Sequence, residues 1–189
     1  MKVERMSLDG VAILTPARHG DARGYFSETW NRQRLAEAGI DAGFVQDNES
    51  LSATPGTVRG LHYQAPPSAQ AKLVRVISGR IRDVVVDVRR GSPGFGKWVA
   101  VELSAEAGNQ LFVPQGFLHG FVTLTPDTLV QYKVDNYYDA AADGAVAWND
   151  PDLAIDWGIS PDQATVSAKD AAAPAFSTWM SPFSRETST

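Results

Sequence analysis

Imidazole is scarce in this chain: His19, His62 and His119 are the three histidines. His62 stands in RGLHYQ, residues 59–64, a run that otherwise reads as a strand, with Arg59 just before it and Lys72 following in AKLVRV. Three chemistries fit such a histidine. It can be a hydrogen-bonded core residue, which needs no function at all. It can be a metal ligand, but barrel metalloenzymes usually pair histidines as His-x-His beside a carboxylate, and neither His-x-His nor His-x-x-x-His occurs here. It can be a general base, because imidazole titrates near neutral pH. A base needs an orienting carboxylate and an acid across the substrate. Tyr132 is a candidate acid, and Lys72 a candidate stabiliser of a developing oxyanion. Taken singly, Tyr132 is a core tyrosine and Lys72 a snorkelling edge lysine; their coincidence with His62 gives the catalytic reading its weight. Arg23 and Arg59 ordinarily read as surface salt-bridge partners. Beside an inward catalytic group, they point to an anionic substrate such as a phosphate.

These side chains must be positioned by strands. Short apolar runs separated by Gly, Pro, Asn and Asp recur along most of the chain: VAILT (11–15), GYFSETW (24–30), AGFVQDNES, TVRGLHYQ, AKLVRVIS, IRDVVVDV, KWVAVELS, QLFVPQG, GFVTLT and LVQYKVDN. Such spacing predicts a mainly β protein, a barrel or sandwich. One early helix is expected over NRQRLAEAG (31–39), capped by Asn31 and ended by Gly39. His19 lies in a loop-like ARHGDARG, and the last forty residues read as loops and short helices, with a polar tail from about residue 181 that frays. Successive strand side chains point to opposite faces. Tyr132 therefore shares a face with Val130 and Val134, Lys72 with Val74 and Val76, and His119 with Phe117 and Phe121. An inward lysine is costly to bury without a partner or a task.

Composition bounds the rest. The 189 residues suit one domain spanning the whole chain, large enough to bury a core without disulfides. The absence of cysteine excludes thiol nucleophiles, Cys-ligated zinc and disulfide frameworks. A formal charge of −5 argues against a nucleic-acid partner, which would require a basic face. Lys2, Glu4, Arg5 and Asp9 interrupt any signal-like start, and no apolar run has membrane-spanning length. A soluble, cytoplasmic protein is expected.

Nine segments, in order from about residue 8 to residue 174, resemble the dTDP-4-dehydrorhamnose 3,5-epimerase family: GDARGYFSETW, FVQDNES, VRGLHYQ, AKLVRV, VDVRRGSPGFGKW, VPQGFLHGFVTL, YKVDNYY, WNDP and VSAKDAAAP. The resemblance implies a cupin-type jelly-roll β-barrel that works as a homodimer, without metal or organic cofactor. It implies a nucleotide-sugar substrate, dTDP-4-dehydro-6-deoxy-D-glucose, inverted at C3 and C5 to give dTDP-4-dehydro-L-rhamnose. It assigns His62 as base, Asp170 as its partner, Tyr132 as acid, and Lys72 near the keto oxygen. Substrate contacts fall on Arg23, Phe26, Glu28, Gln46, Asn48, Arg59, His119, Tyr138, Asp143 and Lys169, with the Arg23–Glu28 segment reaching the neighbouring subunit's site. Asp143 stands where the family usually has Glu, Glu49 where it has His, and Leu118 where it has Ala; KVD replaces the more usual KAT. Glu49 and Leu118 are expected to reshape the sugar pocket. The rival readings are a relative that inverts one centre only, a metal-dependent barrel enzyme, and a dead sugar-binding module, which would lack the His62 and Tyr132 present here.

Overall fold

Alternation of apolar and polar side chains sorts most of the strands into two facing antiparallel sheets. The computed structural model describes residues 1–185. In chain order its elements are β1 (Lys2–Arg5), β2 (Ala12–Thr15), β3 (His19–Asp21), β4 (Gly24–Phe26), α1 (Arg32–Glu37), β5 (Gln46–Ser52), β6 (Val58–Gln64), β7 (Lys72–Ser78), β8 (Arg80–Asp87), β9 (Trp98–Ser104), β10 (Gln110–Val113), β11 (Phe117–Thr123), β12 (Thr128–Val134) and β13 (Asp143–Ala145). A 3-10 turn (Pro161–Gln163) and α2 (Ala168–Ala171) follow. One sheet has the order β1-β2-β10-β7-β12-β5, the other β13-β6-β11-β8-β9, and β3 pairs with β4 as a separate hairpin. Such a pair of facing antiparallel sheets is the jelly-roll architecture expected from the resemblance.

The inward faces close on one another. Val74, Val76 and Val130 from the six-stranded sheet pack with Ile81, Val85, Phe117 and Phe121 from the five-stranded one. Each such buried side chain stabilises the fold by about 1.5–3 kcal/mol relative to exposure. These are the faces that strand parity assigned to Lys72, His119 and Tyr132. The outer face of the five-stranded sheet is buried too: Val84, Val86, Leu118 and Val122 lie under Trp148, Leu153, Trp157 and Phe183 of the C-terminal segment. The six-stranded sheet is covered at one end, where Leu35 of α1 meets Leu14, Leu73 and Phe112. The Asn31 side chain caps α1 by accepting from the Arg34 amide, as expected, and Gly39 takes the left-handed φ of 74° beyond it.

Three expectations are corrected, and two strands went unanticipated. His19 is not in a loop but pairs with Phe26 in the β3–β4 hairpin, and the strand in GYFSETW stops at Phe26. β1 is mostly charged and lies at a sheet edge, where Lys and Glu discourage further pairing; it therefore carries no hydrophobic alternation to read. β13, only three residues long, was also hidden. The expected fraying of the tail fails over its first residues: Ser181 and Phe183 are buried, and around an isolated bridge to Ser184 the Arg90 amide donates to the Phe183 carbonyl while the Arg90 carbonyl accepts the Arg185 amide. Phe183 supplies the apolar anchor that the polar average concealed. The rest of the tail expected to fray, residues 186–189, lies outside the described residues.

Candidate active site

A cavity of about 420 Å³ opens between the two sheets. Seven of the expected site residues line it: Arg59, His62, Lys72, His119, Tyr132, Lys169 and Asp170. They come from opposite walls. β6 and β11 of the five-stranded sheet supply Arg59, His62 and His119; β7 and β12 of the six-stranded sheet supply Lys72 and Tyr132. A substrate between the sheets therefore has imidazole on one side and a phenol with an ammonium group on the other.

Two glycines make the histidine wall possible. His62 and His119 are cross-strand partners beside a register shift between β6 and β11. A Cβ at Gly60, whose φ is +130°, would lie 2.6 Å from the Gly120 Cα, and one at Gly120 would lie 2.8 Å from the Arg59 carbonyl oxygen. Only glycine permits this approach.

His62 Nε2 lies 2.6 Å from Asp170 Oδ1. Asp170 is 4% exposed and accepts the Nε2 proton, which leaves Nδ1 as the basic nitrogen. Asp170 is itself held, because its amide donates to the Ser167 cap of α2 and its second oxygen faces the Gly60 amide at 3.4 Å. Burial pulls the His62 pKa below its ordinary value, Asp170 opposes that fall, and the positive charges of Lys72 and Lys169 assist it. Lys72 is drawn from 10.5 to about 8 by burial, with Asp83 and Asp143 pulling the other way. Burial raises the Tyr132 pKa, so its hydroxyl keeps its proton. The Lys72 ammonium lies 6.0 Å from the Tyr132 ring centroid, which brings the two groups into one corner.

A second histidine–carboxylate pair lies beside the first. His119 Nε2 is 2.9 Å from Asp83 Oδ1, and Asp83 is fully buried. Asp83 was missed by sequence reasoning although a signal existed. In IRDVVVDV it shares strand parity with Ile81 and Val85, so a carboxylate had to point into the core and find a partner there.

The remaining expected residues sit around or away from the cavity. Gln46 and Asn48 bond to each other at 2.7 Å on β5, and Gln46 also accepts the Tyr138 amide. The Tyr138 hydroxyl donates to Asp143, which pairs with Lys169; this pairing raises the Lys169 pKa. Arg23 pairs with Asp21 at 2.6 Å on the exposed hairpin, Glu28 pairs with Arg34 at 3.2 Å, and Phe26 is 71% exposed. These three do not line the cavity. Glu49 points away on the outer face of β5, and Leu118 is buried in the outer core, back to back with His119. The expectation that Glu49 and Leu118 reshape the sugar pocket is therefore corrected. Among the described residues, no three His, Cys, Asp or Glu side chains converge as a metal site.

Residues 5–178 match the sequence profile of the dTDP-4-dehydrorhamnose 3,5-epimerase family. The chain belongs to that family. Among its relatives, dTDP-4-dehydrorhamnose 3,5-epimerase of Sinorhizobium fredii is 49% identical over 92% of this chain and 89% of its own length. Among solved structures, the Legionella pneumophila dTDP-6-deoxy-D-glucose-3,5-epimerase in complex with dTDP-4-keto-L-rhamnose superposes with a TM-score of 0.92 at 40% identity, covering 98% of each chain. A 3'-monoepimerase of Streptomyces bikiniensis in complex with dTDP-quinovose superposes at 0.84, with 35% identity over 92% of this chain and 87% of that one.

Proposed function

We propose that the chain is a metal-independent epimerase that inverts C3 and C5 of dTDP-4-dehydro-6-deoxy-D-glucose to give dTDP-4-dehydro-L-rhamnose. The observation that carries this reading is the placement of His62 and Tyr132 on opposite sheets across one cavity. Both sugar centres flank the C4 ketone. His62 Nδ1 takes the proton from carbon, and the C–H bonding pair moves into the enolate, whose oxygen faces the Lys72 ammonium. Tyr132 then gives its hydroxyl proton to the opposite face of the same carbon, so the centre emerges inverted. Solvent restores the proton to Tyr132 and removes the one on His62. One oxyanion stabiliser serves both inversions because both enolates share the C4 oxygen.

Arg59, Lys72 and Lys169 give the cavity a cationic lining suited to a nucleoside diphosphate in an otherwise acidic protein. Arg23, Phe26 and Glu28 project from the exposed hairpin and the segment after it, which supports a homodimer in which each subunit completes its partner's site. Such an enzyme works in the cytoplasm on a soluble nucleotide sugar; no described helix is long and apolar enough to cross a membrane.

The likeness to a 3'-monoepimerase supports a second reading, inversion at C3 alone. Incubation with the dTDP-4-keto sugar and a downstream reductase, followed by proton NMR of the product, separates the two. Inversion at both centres, undiminished by a chelator, is the expected result. Inversion at one centre selects the second reading, and loss of activity with the chelator sinks the metal-free mechanism.

A further inference from the structure

The motif WNDP, residues 148–151, contributes no side chain to the cavity lining, yet its aspartate is 3% exposed and fully engaged. Asp150 Oδ1 accepts the amides of Asp152 and Leu153 at 2.9 and 3.2 Å, which closes a local turn. Its Oδ2 accepts a distant amide, that of Phe176, at 2.8 Å.

That second bond closes a ring through the active site. Ala145 is the cross-strand partner of His62, and Val146 and Leu61 exchange both backbone hydrogen bonds. The segment carrying Asp150 is thus laced to the strand carrying His62. The strap carrying Asp170 hangs between two fixings. Upstream, Thr165 exchanges backbone bonds with Gly56 and Val58 at 2.8 and 2.9 Å. Downstream, the Ala147 amide donates to the Pro174 carbonyl at 2.9 Å, and Asp150 holds Phe176. The ring therefore runs from His62 through β13 to Asp150, to Phe176, back along the strap to Asp170, and across a 2.6 Å contact to His62.

We propose that Asp150 is a positioning residue: its carboxylate fixes the strap that presents Asp170 to His62. This rests on the reading of His62 as base and Asp170 as its partner. A carboxylate can serve the turn and the strap together because it offers two acceptor oxygens and no donor. Catalytic groups must be held to a fraction of an ångström, so a slack strap costs rate without removing any reacting group.

Asp150→Asn tests this selectively. The amide keeps its oxygen on the Asp152 and Leu153 amides and turns an NH₂ group toward the Phe176 N–H, donor against donor. In the folded variant, kcat should fall about tenfold while KM changes by less than about twofold, since the nucleotide contacts are untouched. Proton NMR supplies a readout that a merely structural role would not move. The imidazole proton shared by His62 and Asp170 should shift or vanish by exchange, whereas the His119 proton held by Asp83 should stay. Asp150→Ser, which retains one acceptor for the turn and cannot reach Phe176, should do the same and serves if Asp150→Asn does not fold. Asp170→Asn, run alongside, separates two failures. If it retains wild-type kcat, the catalytic reading beneath the proposal is wrong. If it is slow while a folded Asp150 variant has wild-type kcat and an unmoved His62 resonance, only the role of Asp150 is wrong. Outright unfolding of both Asp150 variants would make Asp150 a folding residue and would equally overturn the proposal.

Discussion

A proton on carbon beside a ketone is a far weaker acid than imidazolium, so His62 can remove it only if the resulting enolate is stabilised at once. This divides the labour among the residues. In the proposed mechanism Lys72 lowers the cost of the enolate, His62 takes the proton, and Tyr132 returns one, each contributing up to about 10²–10⁴-fold. The division is testable in heavy water. His62→Ala should lose both deuterium uptake and product. Tyr132→Phe keeps base and ring, so the enolate still forms and His62 hands a deuteron back to the original face. Mass spectrometry of recovered substrate should show exchange without inversion. Exchange abolished as completely as in His62→Ala, in a folded variant that binds substrate, would refute separate base and acid roles. The pH profile should carry the same signature. Burial holds the His62 pKa below its ordinary value, so the free base is present at neutral pH, and kcat/KM should fall only as pH drops through that lowered pKa. Lys72 acts as a cation and loses its proton as pH rises through about 8, so an alkaline limb should begin near there. Tyr132, with its pKa pushed up, adds no limb in between. In Lys72→Met the alkaline limb should disappear from the residual rate; if it persists, another group titrates there.

At the scale of the elements, the histidine wall depends on β6 and β11 touching at Gly60 and Gly120. Gly120→Ala forces a Cβ to within 2.8 Å of the Arg59 carbonyl oxygen and should cost about 1–3 kcal/mol in urea unfolding, with kcat reduced as His62 and His119 move apart. Gly43→Ala, whose Cβ meets nothing nearer than the Arg32 guanidinium at 3.9 Å, is the control and should be close to neutral. Equal stabilities would show that the strand pair can yield. Much of this arrangement was legible in the sequence. Period-two patterns placed the catalytic strands, and parity aimed Lys72, His119 and Tyr132 inward, because a half-buried strand advertises its buried face. The same rule, applied to Leu118 and Glu49, would have turned both away from the pocket, since each is one residue out of step with a pocket-side neighbour. Asp83 was lost among valines because its partner lies on another strand. β3 and β13 escaped because three-residue strands carry no periodicity. The pairing of Asp170 with His62 was never readable from spacing; it came from the resemblance, and the geometry now supplies its physical basis.

For the whole molecule, the hairpin that carries Arg23 and Phe26 leaves Tyr25 62% and Phe26 71% exposed in a single subunit, an apolar surface well suited to a second copy. Light scattering should give a dimer, and Arg23→Ala should raise KM more than it lowers kcat; a fully active monomer at micromolar concentration would contradict both. The fold also sets a timetable. His62 and Asp170 are 108 residues apart in sequence, and the Tyr63–Trp179 bond that ties the end of the strap to the same strand spans 116. Loop closure over such distances is slow, and the strap follows every strand of both sheets in the sequence. The nascent protein can therefore form most of both sheets while still inert, and becomes an enzyme only when the strap carrying Asp170 docks. In refolding from urea, far-ultraviolet circular dichroism should recover before activity, and activity should return together with the change in Trp179 environment; recovery of activity in step with the first sheet signal would show instead that barrel and base mature as one.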